Sequence, residues 1–205
     1  MATSMPVSRT LRTVIGLDDT PPNLADTTLI MVDFQNTYLS GVMELDNADA
    51  AVKAAARLLN AARTAGAKVV HIVNDGGEGT PYDIRAEIGA IIPELAPIEG
   101  EPVVVKRFPN SFHDTVLDKT LRDLDAGPEV VIAGFMTHMC VAFTAQGAFH
   151  LGYRPTVVAD ATATRPLAAP DGAPQPAETL QAAALTTIGD LFGVVVPNAE
   201  ALVRS

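Results

Sequence analysis

The sequence predicts an α/β protein with three α/β/α layers around a doubly wound, mostly parallel six-stranded sheet. Three observations carry that expectation. Six short apolar runs rich in β-branched residues recur along the chain, TLIMVD, AKVVHIVN, VVVK, VVIA, TVVAD and VVV, a composition that suits strands covered on both faces. Most of the segments between them space apolar residues at i, i+3 and i+4, as helices packed on a sheet do. Strands that alternate with helices pair in parallel, and right-handed crossovers place helices on both faces.

Taken in order, residues 1–26 are polar and proline-punctuated, with Pro21 next to Pro22. They read as an arm on the surface, packed on a neighbouring subunit or loosely ordered. Residues 27–205 read as one domain. Thr28–Asp33 is the first strand and ends in a carboxylate. Asn47 is placed to cap a helix carrying Ala48, Ala51, Val52, Ala55, Leu58, Leu59 and Ala62, which Gly66 stops. Ala67–Asn74 is the second strand. Tyr82 to Ile92 reads as a short helix before Pro93, residues 97–102 as a loop, and Val103–Lys106 as a third strand. Ser111 with Asp114 resembles a capping box for a helix that buries Val116, Leu117, Leu121 and Leu124. The run from Val130 to Ala133 is the fourth strand, and an Ala-rich helix follows from Val141 to Leu151. Thr156–Asp160 is the fifth strand. Residues 161–176 form a long loop of the kind that covers a site. Leu180, Ala184, Ile188 and Leu191 mark a last helix, and Val194–Val196 a last strand.

Composition narrows the function. Hydrophobic residues make up 48% and charged residues 19% of the 205 residues, which describes a globular chain with a full core. The net charge of −10 disfavours nucleic acid and anionic membrane as partners, because phosphate binding needs clustered Lys and Arg. No apolar run reaches the roughly 18–20 residues that span a bilayer, and the N-terminus lacks a signal-peptide pattern. One cysteine excludes an internal disulfide framework and fits a reducing compartment, by default the cytoplasm.

In parallel sheets, ligands bind beyond the carboxyl ends of the strands. Asp33, Lys106 and Cys140 all fall there. Each has a plainer reading: Asp33 a turn cap, Lys106 a surface lysine, Cys140 a small core residue. Together they form a chemical set, since a carboxylate takes a thiol proton, an ammonium favours the charged forms, and a thiol supplies a nucleophile. The strand-to-helix turn at Cys140 adds free N–H groups and a positive dipole end, which lower a thiol's pKa and hold an oxyanion. Asp160 also ends a predicted strand, where a structural cap is the better reading.

The segments VDFQNTY at Asp33, VVKRFPNSFHDTVLDKTL at Lys106 and AGFMTHMCVAFTAQGAFHLGY at Cys140 carry a family resemblance. The chain is similar, from about Thr28 to Val196, to the isochorismatase-like cysteine hydrolases, which include nicotinamidases, N-carbamoylsarcosine amidohydrolases and isochorismatases. Gly134, Thr137, Cys140, Val141, Thr144 and Ala145 match the pattern G-x-x-T-x-x-C-V-x-x-T-A. The resemblance implies the family's Rossmann-like fold, a triad of Asp33, Lys106 and Cys140, and a cis peptide at Phe135–Met136. It also implies an oxyanion hole from the N–H groups of Met136 and Cys140, and a homo-oligomer, dimer or tetramer.

Departures from the pattern sharpen the expectation. Metal-dependent nicotinamidases use an Asp-x-His element, which this chain lacks, so neither metal nor cofactor is expected. Of its four histidines, His71 reads as a core residue within a strand, His138 as a pocket candidate, and His113 and His150 as surface residues. Retention of the cysteine points to C–N cleavage of a small molecule. Phe34, Gln35, Tyr38, Arg107, Phe112, Met136, Thr137 and His138 adjoin the triad in sequence and are the substrate-binding candidates. Phe34 and Phe112 read equally as core, Thr137 as a loop hydrogen bonder, and Arg107 as either a carboxylate partner or a solvated arginine. Three rivals remain open: an enol-ether hydrolase of the isochorismatase type, a nucleotide-binding module (without any G-x-G-x-x-G after the first strand), and a silent member of the fold.

Overall fold

A computed structural model describes residues 7–203. In chain order its elements are α1 (Leu11–Ile15), β1 (Thr28–Val32), α2 (Ala48–Ala65), β2 (Lys68–Asn74), β3 (Val103–Lys106), α3 (Leu117–Asp123), β4 (Glu129–Phe135), α4 (Ala142–His150), β5 (Arg154–Ala163), β6 (Leu167–Ala168), β7 (Pro174–Gln175), α5 (Ala177–Thr187) and β8 (Val194–Val196). The main sheet runs β3-β2-β1-β4-β5-β8 and every pair in it is parallel. The chain winds outward from β1 to β3, returns to β4, and winds the other way. The switch point therefore lies between β1 and β4.

Alternation along the strands divides the core. Leu29 and Met31 of β1 face α2, where Ala55, Leu58, Leu59 and Ala62 meet them. Ile30 and Val32 face the opposite layer with Leu117, Leu121, Val141, Ala145 and Ile188. Successive strand residues point to opposite faces, so near-continuous apolar runs serve both layers, as the six-stranded expectation requires. Helix α2 ends at Gly66, whose φ of 74° closes the last turn. At its other end Asn47 takes the cap position in a left-handed conformation, without a side-chain cap bond.

Several local expectations are corrected. Tyr82 to Ile92 is not a helix but a series of turns with one short 3-10 segment at Glu87–Gly89, and a second, Pro93–Leu95, follows it. The Asp83 carboxylate accepts the N–H groups of Gly79 and Arg85, and such local side-chain bonds compete with helix formation. Nearby backbone groups are also taken, since Phe34 O accepts Ile92 N and Gln35 Nε2 donates to Gly89 O. The capping box is not formed, because Ser111 Oγ pairs with Thr144 Oγ1 at 2.8 Å. Helix α3 begins later, and Val116 is exposed rather than buried. Strand β5 runs on to Ala163, so Asp160 lies inside it, ion-paired with Arg57, instead of capping its end. The start of the predicted 161–176 loop is thus strand, and the small β6–β7 hairpin occupies part of the rest.

The described part of the arm lies on this chain's own body. Leu11 N donates to Asp190 Oδ1 at 2.9 Å, Arg12 Nη1 to Leu191 O at 3.3 Å, and Arg154 reaches Asp18. The first six residues of the predicted arm and the last two of the predicted domain lie outside the described residues. No described helix is long and apolar enough to cross a membrane.

His71 is a core residue tied into one network. Its Nε2 lies 2.9 Å from Glu101, which also accepts Arg63 Nε and Nη2, each at 2.8 Å, and Ile98 N. Burial pushes the Glu101 carboxyl up, but the bonds from Arg63 and His71 outweigh it and bring it down to about 2, from an ordinary 4.5. A folded-state pKa below the unfolded one stabilises the fold above pH 4.5, and that contribution is lost as pH falls from 4.5 towards 2. Glu101→Gln is accordingly expected to destabilise the protein at pH 7 by about 1–3 kcal/mol. Urea denaturation of both proteins at pH 7 and pH 3 should show the gap shrinking at the lower pH.

Candidate active site

The site forms where β1, β3 and β4 end. Asp33 is the residue after β1 and adopts φ +52°, a left-handed conformation that Asp tolerates better than most residues. Its N–H still donates to Ile72 O of β2, so the strand register holds while the side chain is turned to the site. Lys106 closes β3, two strands away, and lies in register with Asn74 of β2. Its long side chain crosses β2, passing 3.4 Å from Asn74 Oδ1. Cys140 is the fourth residue of a π-helical turn, Thr137–Val141, that joins β4 to α4. Gly134 makes this approach feasible, since a Cβ there would lie 2.0 Å from Val32 O. The Phe135–Met136 peptide just before the turn is cis.

The three side chains meet. Lys106 Nζ lies 2.7 Å from Asp33 Oδ2, with both side chains 0% exposed, and 3.3 Å from Cys140 Sγ. Lys106 and the Cys140 thiol are the hydrogen-bonding neighbours of the buried Asp33 carboxylate. Such a carboxylate is a ready proton acceptor. Burial pushes the Asp33 carboxyl up, partly offset by Lys106 and Cys140. Burial works against the charge on Lys106, but Asp33 and Cys140 outweigh it, so the lysine rises above its ordinary value. The thiol is pushed up to about 12, first by burial and then by the Asp33 charge, against the pull of Lys106. This corrects the expectation of a thiol acidified by the helix end. A neutral thiol therefore sits beside the buried Asp33–Lys106 ion pair.

The other candidates divide. Gln35 is buried and clamps backbone: its Nε2 donates to Asn74 O and Gly89 O, and its Oε1 accepts Asn74 N. Phe34 packs edge-on against Phe135 at 4.8 Å in the α2-side core. Tyr38 is buried against Phe135 and Tyr82, and burial, followed by the Asp33 charge, pushes its hydroxyl well above the ordinary value. Thr137 Oγ1 donates to Ala163 O at 3.0 Å, and His138 Nδ1 pairs with Thr164 Oγ1, so β5 fixes the turn that carries Cys140. Phe112 stacks on Tyr153 and packs against the α4-side core cluster that also holds Cys140. Arg107 is exposed. Met136 is buried beside Cys140, and its carbonyl accepts Met139 N and Val141 N. His113 and His150 are exposed. An apolar groove between α4 and α5, lined by Phe143, Leu180 and Ile188, reaches His138.

Asn74, Tyr82 and Arg165 were missed by sequence reasoning. Asn74 had a signal, its place at the carboxyl end of β2 beside Lys106. Tyr82 had none, since its segment was read as a helix. Arg165 had none, since it falls in the stretch 161–176 that reads as a loop.

Residues 27–200 match the Isochorismatase domain family model. The fold superposes on the crystal structure of an isochorismatase from Pseudomonas putida KT2440 with a TM-score of 0.91 and 39% identity, covering 96% of this chain and 100% of that one. The secreted isochorismatase effector Isc1 of Verticillium dahliae is 32% identical across 92% of this chain and 97% of that protein. Ureidoacrylate amidohydrolase RutB of Stutzerimonas stutzeri is 32% identical across 67% of this chain and 70% of that protein. The matched residues hold all three strand-end side chains of the site, and the chain belongs to the isochorismatase family of hydrolases.

Proposed function

We propose that the chain is a cysteine hydrolase that cleaves a C–N bond of a small amide, carbamoyl compound or lactam through a thioester on Cys140. One observation carries the reading: a buried ammonium lies within 2.7 Å of a carboxylate and 3.3 Å of the only thiol. With the thiol neutral at rest, the proton leaves as the sulfur attacks. Asp33 takes that proton, and Lys106 keeps the carboxylate charged and ready. Sγ bonds to the carbonyl carbon, and the oxyanion rests on the N–H groups of Met136 and Cys140. Asp33 returns the proton to the departing nitrogen. Water, deprotonated by Asp33, then cleaves the thioester and frees the acid. An amidohydrolase among the relatives is in keeping with C–N chemistry.

The test is an ammonia- and amine-release screen over small amides, carbamoyl compounds and lactams, with Cys140→Ala as control. Release by the wild type that disappears in the variant is the expected result. Pyruvate formation from isochorismate that survives in Cys140→Ala would replace this reading with the enol-ether one.

Two wider features are proposed with it. The buried, unpaired cysteine suits a reducing compartment, the cytoplasm. A homo-oligomer is proposed through α4 and α5, because Thr179 to Gly189 carries no charge. In a chain of net charge −10, that is where like-charged copies meet at least repulsion.

A further inference from the structure

Lys106 brings its ammonium to the thiol from the least supported strand of the site. It ends β3, a four-residue edge strand that pairs with β2 alone and leaves Val103 and Val105 exposed. A strand held on one side opens more readily than a central one. Beyond Lys106, residues 107–116 contain no helix or strand, and Arg107 and Phe108 are exposed. Cys140, by contrast, is carried by β4, a central strand, and by the turn that runs into α4. Asp33 holds the ammonium from the side of β1. The 3.3 Å contact between Lys106 Nζ and Cys140 Sγ needs a further tie, from the end of β3 to the helix of the thiol.

The fold supplies one. Ser111 and Thr144 are both 0% exposed. Ser111 N donates to Thr144 Oγ1 at 3.1 Å, and the two hydroxyls share a hydrogen bond at 2.8 Å. Thr144 Oγ1 also lies 3.5 Å from Pro109 O. Among the described residues, every hydrogen bond between residues 107–116 and residues 129–150 ends on this one hydroxyl. Thr144 is four residues beyond Cys140, one turn further along the helix. Gly147 continues the contact, since a Cβ there would lie 2.4 Å from Asn110 Oδ1, so the loop also rests on the helix itself. Asn110 Oδ1 accepts Phe112 N at 2.9 Å and Ser111 O accepts Thr115 Oγ1 at 2.6 Å, which keeps the loop compact around the brace. Burying two hydroxyls has a desolvation cost that apolar side chains avoid. These two stand where the segments carrying two members of the triad meet.

We propose that Thr144 and Ser111 are positioning residues whose bond fixes the end of β3 to the helix of Cys140 and so sets the distance from the Lys106 ammonium to the thiol. The inference rests on Lys106 and Cys140 acting together in the proposed reaction. The attraction of an ammonium for a thiolate falls with distance. Loosening the brace therefore lowers the thiol's reactivity while every member of the triad remains.

Cys140 is the only thiol, so intact mass follows its alkylation by iodoacetamide, in which sulfur displaces iodide. At pH 8, Thr144→Val keeps the shape but loses the hydroxyl, and should react roughly tenfold more slowly than the wild type, as for a shift of about one pKa unit. Thr144→Ser keeps the hydroxyl and should stay within about twofold of the wild type. Leu58→Ala truncates the opposite core layer and should also stay within about twofold, although it is destabilised. On a Lys106→Met background, Thr144→Val should change the rate by less than about twofold, because the cation it places is gone. Thr144→Val reacting at or above the wild-type rate would overturn the proposal, as would equal slowing in Leu58→Ala or on the Lys106→Met background. If Thr144→Val does not fold, Ser111→Ala takes its place and should slow the reaction about threefold, since the bond from Ser111 N survives. If Lys106→Met does not fold, the comparison with Leu58→Ala decides. Lys106→Met reacting as fast as the wild type would remove the paired reading of lysine and thiol, and this proposal with it. Slowing in Lys106→Met without slowing in Thr144→Val removes only this proposal.

Discussion

Cys140→Ala is expected to lower turnover of any amide the wild type accepts by at least about 10⁴-fold, with the fold intact. The size follows from the chemistry. Asp33 and Lys106 would remain paired at 2.7 Å, but without sulfur no covalent intermediate forms, and water would have to attack an unactivated amide directly. Groups that act as one unit lose nearly all their effect together, so the surviving pair offers little rescue. The structural cost is small, because a buried thiol exchanged for a methyl leaves a minor cavity, worth about 1 kcal/mol. Steady-state ammonia release and a denaturation midpoint measured on the same preparations separate the two effects. Intact mass of the wild type quenched during turnover should show an acyl adduct that the variant lacks. Retained turnover in the variant would remove Cys140 from the mechanism.

The sequence is informative about this site wherever a residue is held by strand position. Asp33 and Cys140 lie beyond apolar runs that form buried strands, Lys106 ends a half-exposed edge strand, and parallel strands bring their carboxyl ends to one side. Register then decides which pairs touch, and register is invisible in composition. Lys106 reaches Asp33 across β2 because Asn74 lies opposite it. Gln35 adjoins Asp33 in sequence, yet its amide is spent on the backbone of Asn74 and Gly89. Tyr82 to Ile92 failed as a helix because Asp83 holds local N–H groups. Ser111 failed as a cap because Thr144, 33 residues on, takes its hydroxyl. The thiol's pKa went the opposite way to the local expectation. A helix-end dipole is a local property that a sequence displays, whereas burial beside a carboxylate is set by three strands at once.

Lys106→Met is expected to have the largest effect on stability. Both partners of the Lys106–Asp33 pair are 0% exposed, and removing one side of a buried pair strands the other charge, at a cost of about 3–5 kcal/mol. Asp33→Asn/Lys106→Met removes both charges and should be less destabilised than Lys106→Met alone, although it carries one more substitution. All these variants should be inactive, so stability and activity separate cleanly along the cycle. The pH dependence has a definite sign. Burial already raises the Asp33 pKa above its ordinary 3.8, and loss of the ammonium that opposes it raises it further. A carboxyl whose folded pKa exceeds its unfolded one binds a proton more tightly when folded, so its penalty is full above the folded pKa and fades as pH falls through it. The stability deficit of Lys106→Met should therefore be larger at pH 8 than at pH 5, and the double variant should show little such change. Urea midpoints for the wild type, both single variants and the double variant at those two pH values provide the measurement. A deficit independent of pH would mean that Asp33 does not remain as an unpaired carboxylate, and that the lysine contributes through packing of its side-chain carbons rather than its charge.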